Sequence, residues 1–80
     1  MWYYMTKYSF DSEKRVVGPF ETEEEAWTKM ETAADEEHRI DTEENAWSTE
    51  IVKDKICGEI TIKNFFTAGT DVTEFFLFEI

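Results

Sequence analysis

The chain has 80 residues, with nineteen Asp or Glu against eight Lys or Arg and a net charge of −11. That length holds one domain around one core, and an isoelectric point of about 4.3 argues against direct phosphate binding and against anionic membrane surfaces. The single cysteine, Cys57, excludes an intrachain disulfide and zinc sites built from four cysteines or from two cysteines and two histidines.

Seven Phe, three Tyr and three Trp supply large apolar area for a small core. Met1–Met5 is apolar but short and has no basic flank, so it does not read as a signal peptide. No stretch is long enough to span a bilayer. A reducing cytoplasm is the expected compartment.

Trp2–Phe10 has strong β-propensity and alternates, with Trp2, Tyr4, Tyr8 and Phe10 on one face. Asp11-Ser12-Glu13-Lys14 is a turn of residues that bond their own backbone. Arg15–Phe20 is a second strand, ended by Gly18-Pro19 because proline cannot donate to a ladder. The two strands predict a hairpin.

Glu21–Glu44 follows, with eleven acids against Lys29 and Arg39: −9 of the −11 lies here. Thr22–Arg39 is the predicted helix. Thr22 and Glu25 have capping-box spacing. Acids in the first turn and Arg39 in the last suit the helix dipole. Ala26, Trp27, Met30, Ala33 and Ala34 make one apolar stripe. Glu24, Glu31 and Asp35 line one flank of it, and Glu25 and Glu36 lie on the far side.

Asp41–Trp47 (DTEENAW) echoes Glu21–Trp27 (ETEEEAW) at five of seven positions. It reads either as a second helical turn repeating the cap-and-Trp device, or as a coincidence of acidic composition. In both cases Trp47 is expected to anchor the segment to the core. Ser48–Lys53 is a strand and Asp54-Lys55 a turn. Gly58–Phe66 alternates, with Ile60 and Ile62 inward. Thr67–Asp71 is a turn cluster. Val72–Ile80 is apolar on both faces, which marks a central strand or a contact with a second chain: Val72, Phe76, Phe78 and Ile80 make one face, Phe75 and Leu77 the other.

The order β-β-α-β-β-β predicts a two-layer α+β fold. An antiparallel sheet of four to five strands carries one acidic helix on one face. One helix cannot cover both faces. The uncovered one must be polar, curled on itself or buried in a dimer; Phe65, Phe75 and Leu77 are the candidates for it, and a homodimer through it is one option.

Catalytic patterns are thin. Glu31, Asp35 and His38 have helical spacing, but one helix supplies half a metal site and there is no second histidine, so a solvated His38 is the expectation. Cys57 has Lys53 and Lys55 nearby; a small apolar side chain suits it better than an activated thiol. The three glycines are isolated, so no phosphate loop exists and no cofactor is expected. No enzyme is expected.

The anionic row remains. Residues three or four apart on a helix stand about 5–6 Å apart, comparable to phosphates along a strand. Glu24, Glu31 and Asp35, with Glu25 and Glu36 adjoining, are the candidate partner-binding residues, able to enter a Lys/Arg groove built for nucleic acid. The alternatives are the homodimer with a merely solvated helix, and a small-molecule pocket lined by Trp2, Tyr4, Trp27 and Trp47.

Gly18-Pro19-Phe20-Glu21-Thr22-Glu23-Glu24-Glu25-Ala26-Trp27 and the ending Asp71-Val72-Thr73-Glu74-Phe75-Phe76-Leu77-Phe78 resemble the small acidic proteins of phages and mobile elements of Gram-positive bacteria. Anti-CRISPR inhibitors are similar in size and acidity. The resemblance covers about half the chain and carries no functional residue across. It implies stoichiometric inhibition of a host defence nuclease, in the host cell cytoplasm, by covering the surface that binds DNA.

Overall fold

A computed structural model describes residues 1–9 and 14–80. Phe10 and the predicted turn at Asp11, Ser12 and Glu13 lie outside the described residues. The elements are β1 (Trp2–Tyr8), β2 (Lys14–Phe20), α1 (Glu23–Arg39), a π-helical turn (Ile40–Glu44), β3 (Ser48–Asp54), β4 (Glu59–Phe66) and β5 (Gly69–Glu79). The five strands form one antiparallel sheet in the order β2-β1-β5-β4-β3. The expected two-layer α+β fold is therefore present, with five strands and one helix layer.

The topology follows from the helix. β2 and β3 are adjacent in sequence but lie at opposite edges. Four strand spacings measure about 19 Å, and the 17 residues of α1 rise about 25 Å. One helix is thus long enough to carry the chain across the whole sheet. Thr22 starts it, its hydroxyl accepting the Glu25 N–H at 3.1 Å.

Ala26, Trp27, Met30 and Ala34 are buried beneath α1. They meet Tyr4, Ile60, Ile62 and Phe75, with Phe20, Ala33, Ile51 and Leu77 packed around them. Met30, Ile60 and Ile62 are fully buried, each stabilising the fold by about 1.5–3 kcal/mol through removal of apolar area from water.

The expected orientation of the last strand is reversed. Phe75 pairs with Thr6 and Ile60, and Leu77 with Tyr4, which puts both on the helix side. Phe75 is a core residue and Leu77 packs against the core. Phe76 and Phe78 take the open face, where Phe78 stacks on Tyr3 at 5.5 Å. Of the three residues expected on the uncovered face, only Phe65 is there. The residues divide into the predicted sets, but a strand apolar on both sides does not say which set faces the helix. Register decides it, and register is fixed by the turn at Thr67-Ala68, which pairs Phe66 with Gly69.

Gly58 closes the β3–β4 turn at φ +71°, and a Cβ there would stand 3.2 Å from the Leu77 Cβ. Glycine lets the turn press on the core edge.

Candidate functional site

The acidic flank is built against the sheet, not away from it. β3 is an edge strand whose alternation turns Thr49, Ile51 and Lys53 towards the helix. Lys53 Nζ sits 2.8 Å from Asp35 Oδ1 and 3.1 Å from Glu31 Oε2. Lys55, in the following turn, reaches Glu24 Oε1 at 3.0 Å. Glu24, Glu31 and Asp35 therefore face β3 and the turn after it, clamped by two lysines from the same chain. The bonds to Asp35 and then Glu31 push the Lys53 ammonium above its ordinary value.

On the far side, Glu25 and Glu36 are exposed. Glu25 has no ion pair among the described residues. Glu36 binds the Arg39 guanidinium through both oxygens, at 2.7 and 3.0 Å. Arg39 also reaches Glu43 at 3.2 Å and Glu44 at 3.6 Å. Bonding to Arg39 lowers the Glu36 carboxyl below its usual range and raises the guanidinium.

Charge divides by layer. The helix and the turn after it hold ten acids and two bases, and Glu21 just before the helix makes eleven. By alternation and register, the open face carries Lys7, Lys14 and Lys63 against Glu50, Asp54, Glu59 and Glu74, a near balance. Beside these charges lies an apolar strip of Tyr3, Met5, Val16, Phe76 and Phe78.

The remaining candidates resolve differently from expectation. Among the described residues no three His, Cys, Asp or Glu converge to hold a metal ion. Beside Glu31 and Asp35 the cation is Lys53. Cys57 is exposed and not a small buried side chain. The Asp54 carboxylate accepts its backbone N–H at 3.1 Å and pushes its thiol up, opposite to activation.

The echo at Asp41–Trp47 is not a structural repeat. Thr22 caps a helix, whereas Thr42 lies within the π-helical continuation and donates its hydroxyl to the His38 carbonyl. The chain leaves through Ala46 at φ 53°. Trp27 is buried, but Trp47 is 40% exposed and rests edge-on against Phe66 at 5.0 Å. Trp47 thus anchors the segment to a sheet corner, not to the core. Trp47 N donates to Asp41 O at 2.9 Å, and Asp41 is fourteen residues, about 21 Å of helix, beyond Trp27. The pocket expected between Trp2, Tyr4, Trp27 and Trp47 therefore does not assemble.

Sequence reading missed Glu37, Asp41 and Asn64. Glu37 and Asp41 continue the stripe of Met30 and Ala34 at steps of three and four. That spacing was the available signal for a carboxylate carried to the buried side. Asp41 is buried and accepts Asn64 Nδ2 at 3.1 Å. Burial, then repulsion from Asp41, raises the Glu37 carboxyl, while the positive charge of Arg15 acts against that shift.

No helix among the described residues is long and apolar enough to cross a membrane. No family model matches the chain, and comparison with curated proteins and with solved structures finds no match.

Proposed function

We propose that the protein is a non-enzymatic binding protein whose acidic helix layer docks on a basic, nucleic-acid-binding surface of another protein. The inhibitor of a defence nuclease carried by a phage or mobile element is the form of this role that the sequence resemblance suggests. The observation that carries the reading is the segregation of charge: −9 over Glu21–Glu44, which forms the helix layer and its lead-in, and near balance on the opposite face. A solubilising charge has no need of such segregation.

Glu25 and Glu36 make the outward contacts, and Glu24, Glu31 and Asp35 the adjoining row. The row joins by exchanging Lys53 and Lys55 for the partner's bases. Exposed pairs of this kind contribute about 0–1 kcal/mol, so the exchange costs little. Capture of partners from a host extract on the tagged protein, released along a salt gradient, tests the reading. A nucleic-acid-binding protein that leaves at moderate salt supports it. Retention of partners that salt does not release contradicts it.

A homodimer is the second reading, favoured by the Tyr3–Phe78 stack on an uncovered sheet face. Sedimentation equilibrium decides it: a monomer at high concentration removes this reading.

A further inference from the structure

A second anionic feature lies apart from the outward helix face. Where the π-helical turn meets the ends of β4 and β5, a cavity of about 270 Å³ opens, walled by Tyr8, Glu37, Asp41, Trp47, Asn64 and Asp71. A water molecule occupies about 30 Å³ of liquid. The space suits a small organic head group and is too small for a nucleotide.

Its chemistry is one-sided. Among the described residues three carboxylates line it, and no lysine or arginine does. Asp41 and Asn64 are both more than nine-tenths buried. Among the described residues Asp41 takes one side-chain hydrogen bond, from Asn64 Nδ2, and Asn64 Oδ1, closed off from solvent, has no partner. The amide orientation is set by chemistry, since only the NH₂ end can donate to a carboxylate. A buried carboxylate held by one neutral donor, with no cation beside it among the described residues, is a costly arrangement until a cation arrives. Arg15 acts on Glu37 by charge from β2 but forms no ion pair with it among the described residues.

Among the described residues no three carboxylates converge on one point as a metal ion requires. An organic cation spreads its N–H donors over separated acceptors. Trp47 supplies a ring face of the kind that attracts such a cation, and its contact with Phe66 holds it in place.

We propose that this cavity binds the head of an organic cation, a guanidinium or primary ammonium group, with Asp41 as counter-ion, held in place by Asn64 Nδ2, and Trp47 against the cation's side. The proposal does not rest on docking through Glu25 and Glu36. The cation has two sources with one chemistry: a free amine, or an arginine or lysine side chain of a bound protein.

The test is an amide and indole NMR titration with N-acetylarginine amide and with butylammonium chloride. Tetramethylammonium chloride, which has no N–H donor, is the control. Saturable shifts at Asp41, Asn64 and Trp47 are expected with the first two only. Asp41→Asn is expected to weaken binding about tenfold or more, the value of a charged hydrogen bond. Asp71→Asn, at the cavity wall, is the fallback where Asp41→Asn does not fold, with a smaller loss. Shifts equal to those from tetramethylammonium, or affinity unchanged in the folded variants, overturn the proposal, as does tighter binding of calcium at the same residues. A blocked tripeptide with a central arginine separates the sources. Binding equal to that of N-acetylarginine amide assigns a protein side chain, whereas exclusion of the tripeptide with butylammonium still bound assigns a free amine; both support the site.

Discussion

Lys53 Nζ lies 2.8 Å from Asp35 Oδ1, so an edge strand grips the acidic helix by its flank. This contact changes how the anionic surface must be tested. Reversing Glu24, Glu31 and Asp35 to lysine would set like charges against Lys53 and Lys55 and disturb the helix–sheet seam. The outward pair, Glu25 and Glu36, tests docking away from that seam: Glu36 is bonded to Arg39 of its own helix and not to the sheet.

Lys53→Gln should cost less than about 1 kcal/mol of stability, because the pairs it breaks are solvent-screened. It should also strengthen binding to a basic partner by releasing two carboxylates. Urea unfolding and a binding isotherm read the two effects separately. A large stability loss, or weaker binding, would count against the exchange of Lys53 for the partner's bases.

Met30 has no exposed surface and sits between helix and sheet. Met30→Ala should remove about 2–5 kcal/mol, the sum of lost transfer energy and an unfilled cavity. Urea denaturation monitored by circular dichroism measures it. A loss below 1 kcal/mol, on the order of a surface substitution, would mean that the core lies elsewhere.

Thr22→Ala should cost about 1 kcal/mol, since the Glu25 N–H loses its only cap. Thermal unfolding with Thr22→Ser as a restoring control is the check. Equal melting of all three proteins would contradict the capping assignment.

Glu37 gives a pH prediction. Its carboxyl is raised in the folded protein, mainly by burial, so the unfolded chain gives up this proton at lower pH. Stability from this group therefore falls as pH rises from the unfolded value to the folded one, and stays reduced above it. Glu37→Gln should stabilise the protein at neutral pH, with the gain vanishing below the ordinary glutamate pKa of about 4.3. A gain that persists in acid would assign the effect to packing instead.

Much of the fold was legible because local signals agreed. The Thr22 cap, the Ala26–Ala34 stripe and the alternation at Ile60 and Ile62 each point one way. Phe75 was misplaced because β5 is apolar on both sides, and only pairing with Thr6 and Ile60 selects its face. Trp47 was misplaced because its neighbours copy those of Trp27, while the helix running past Arg39 into a wider turn depends on packing beyond the local sequence. Asp41 was not singled out, although its spacing from Ala34 and Glu37 places it inward. The acidic row itself was visible, but Lys53 and Lys55 come from a strand and turn about twenty to thirty residues away, which no helical spacing reveals.

The most direct test of docking is capture from host extract on two proteins in parallel, the natural chain and Glu25→Lys/Glu36→Lys, eluting with a short nucleic-acid duplex. The account predicts that a basic nucleic-acid-binding protein is retained by the natural chain, displaced by the duplex and lost on the variant. Identical retention by both folded proteins, or retention that the duplex does not displace, would contradict it.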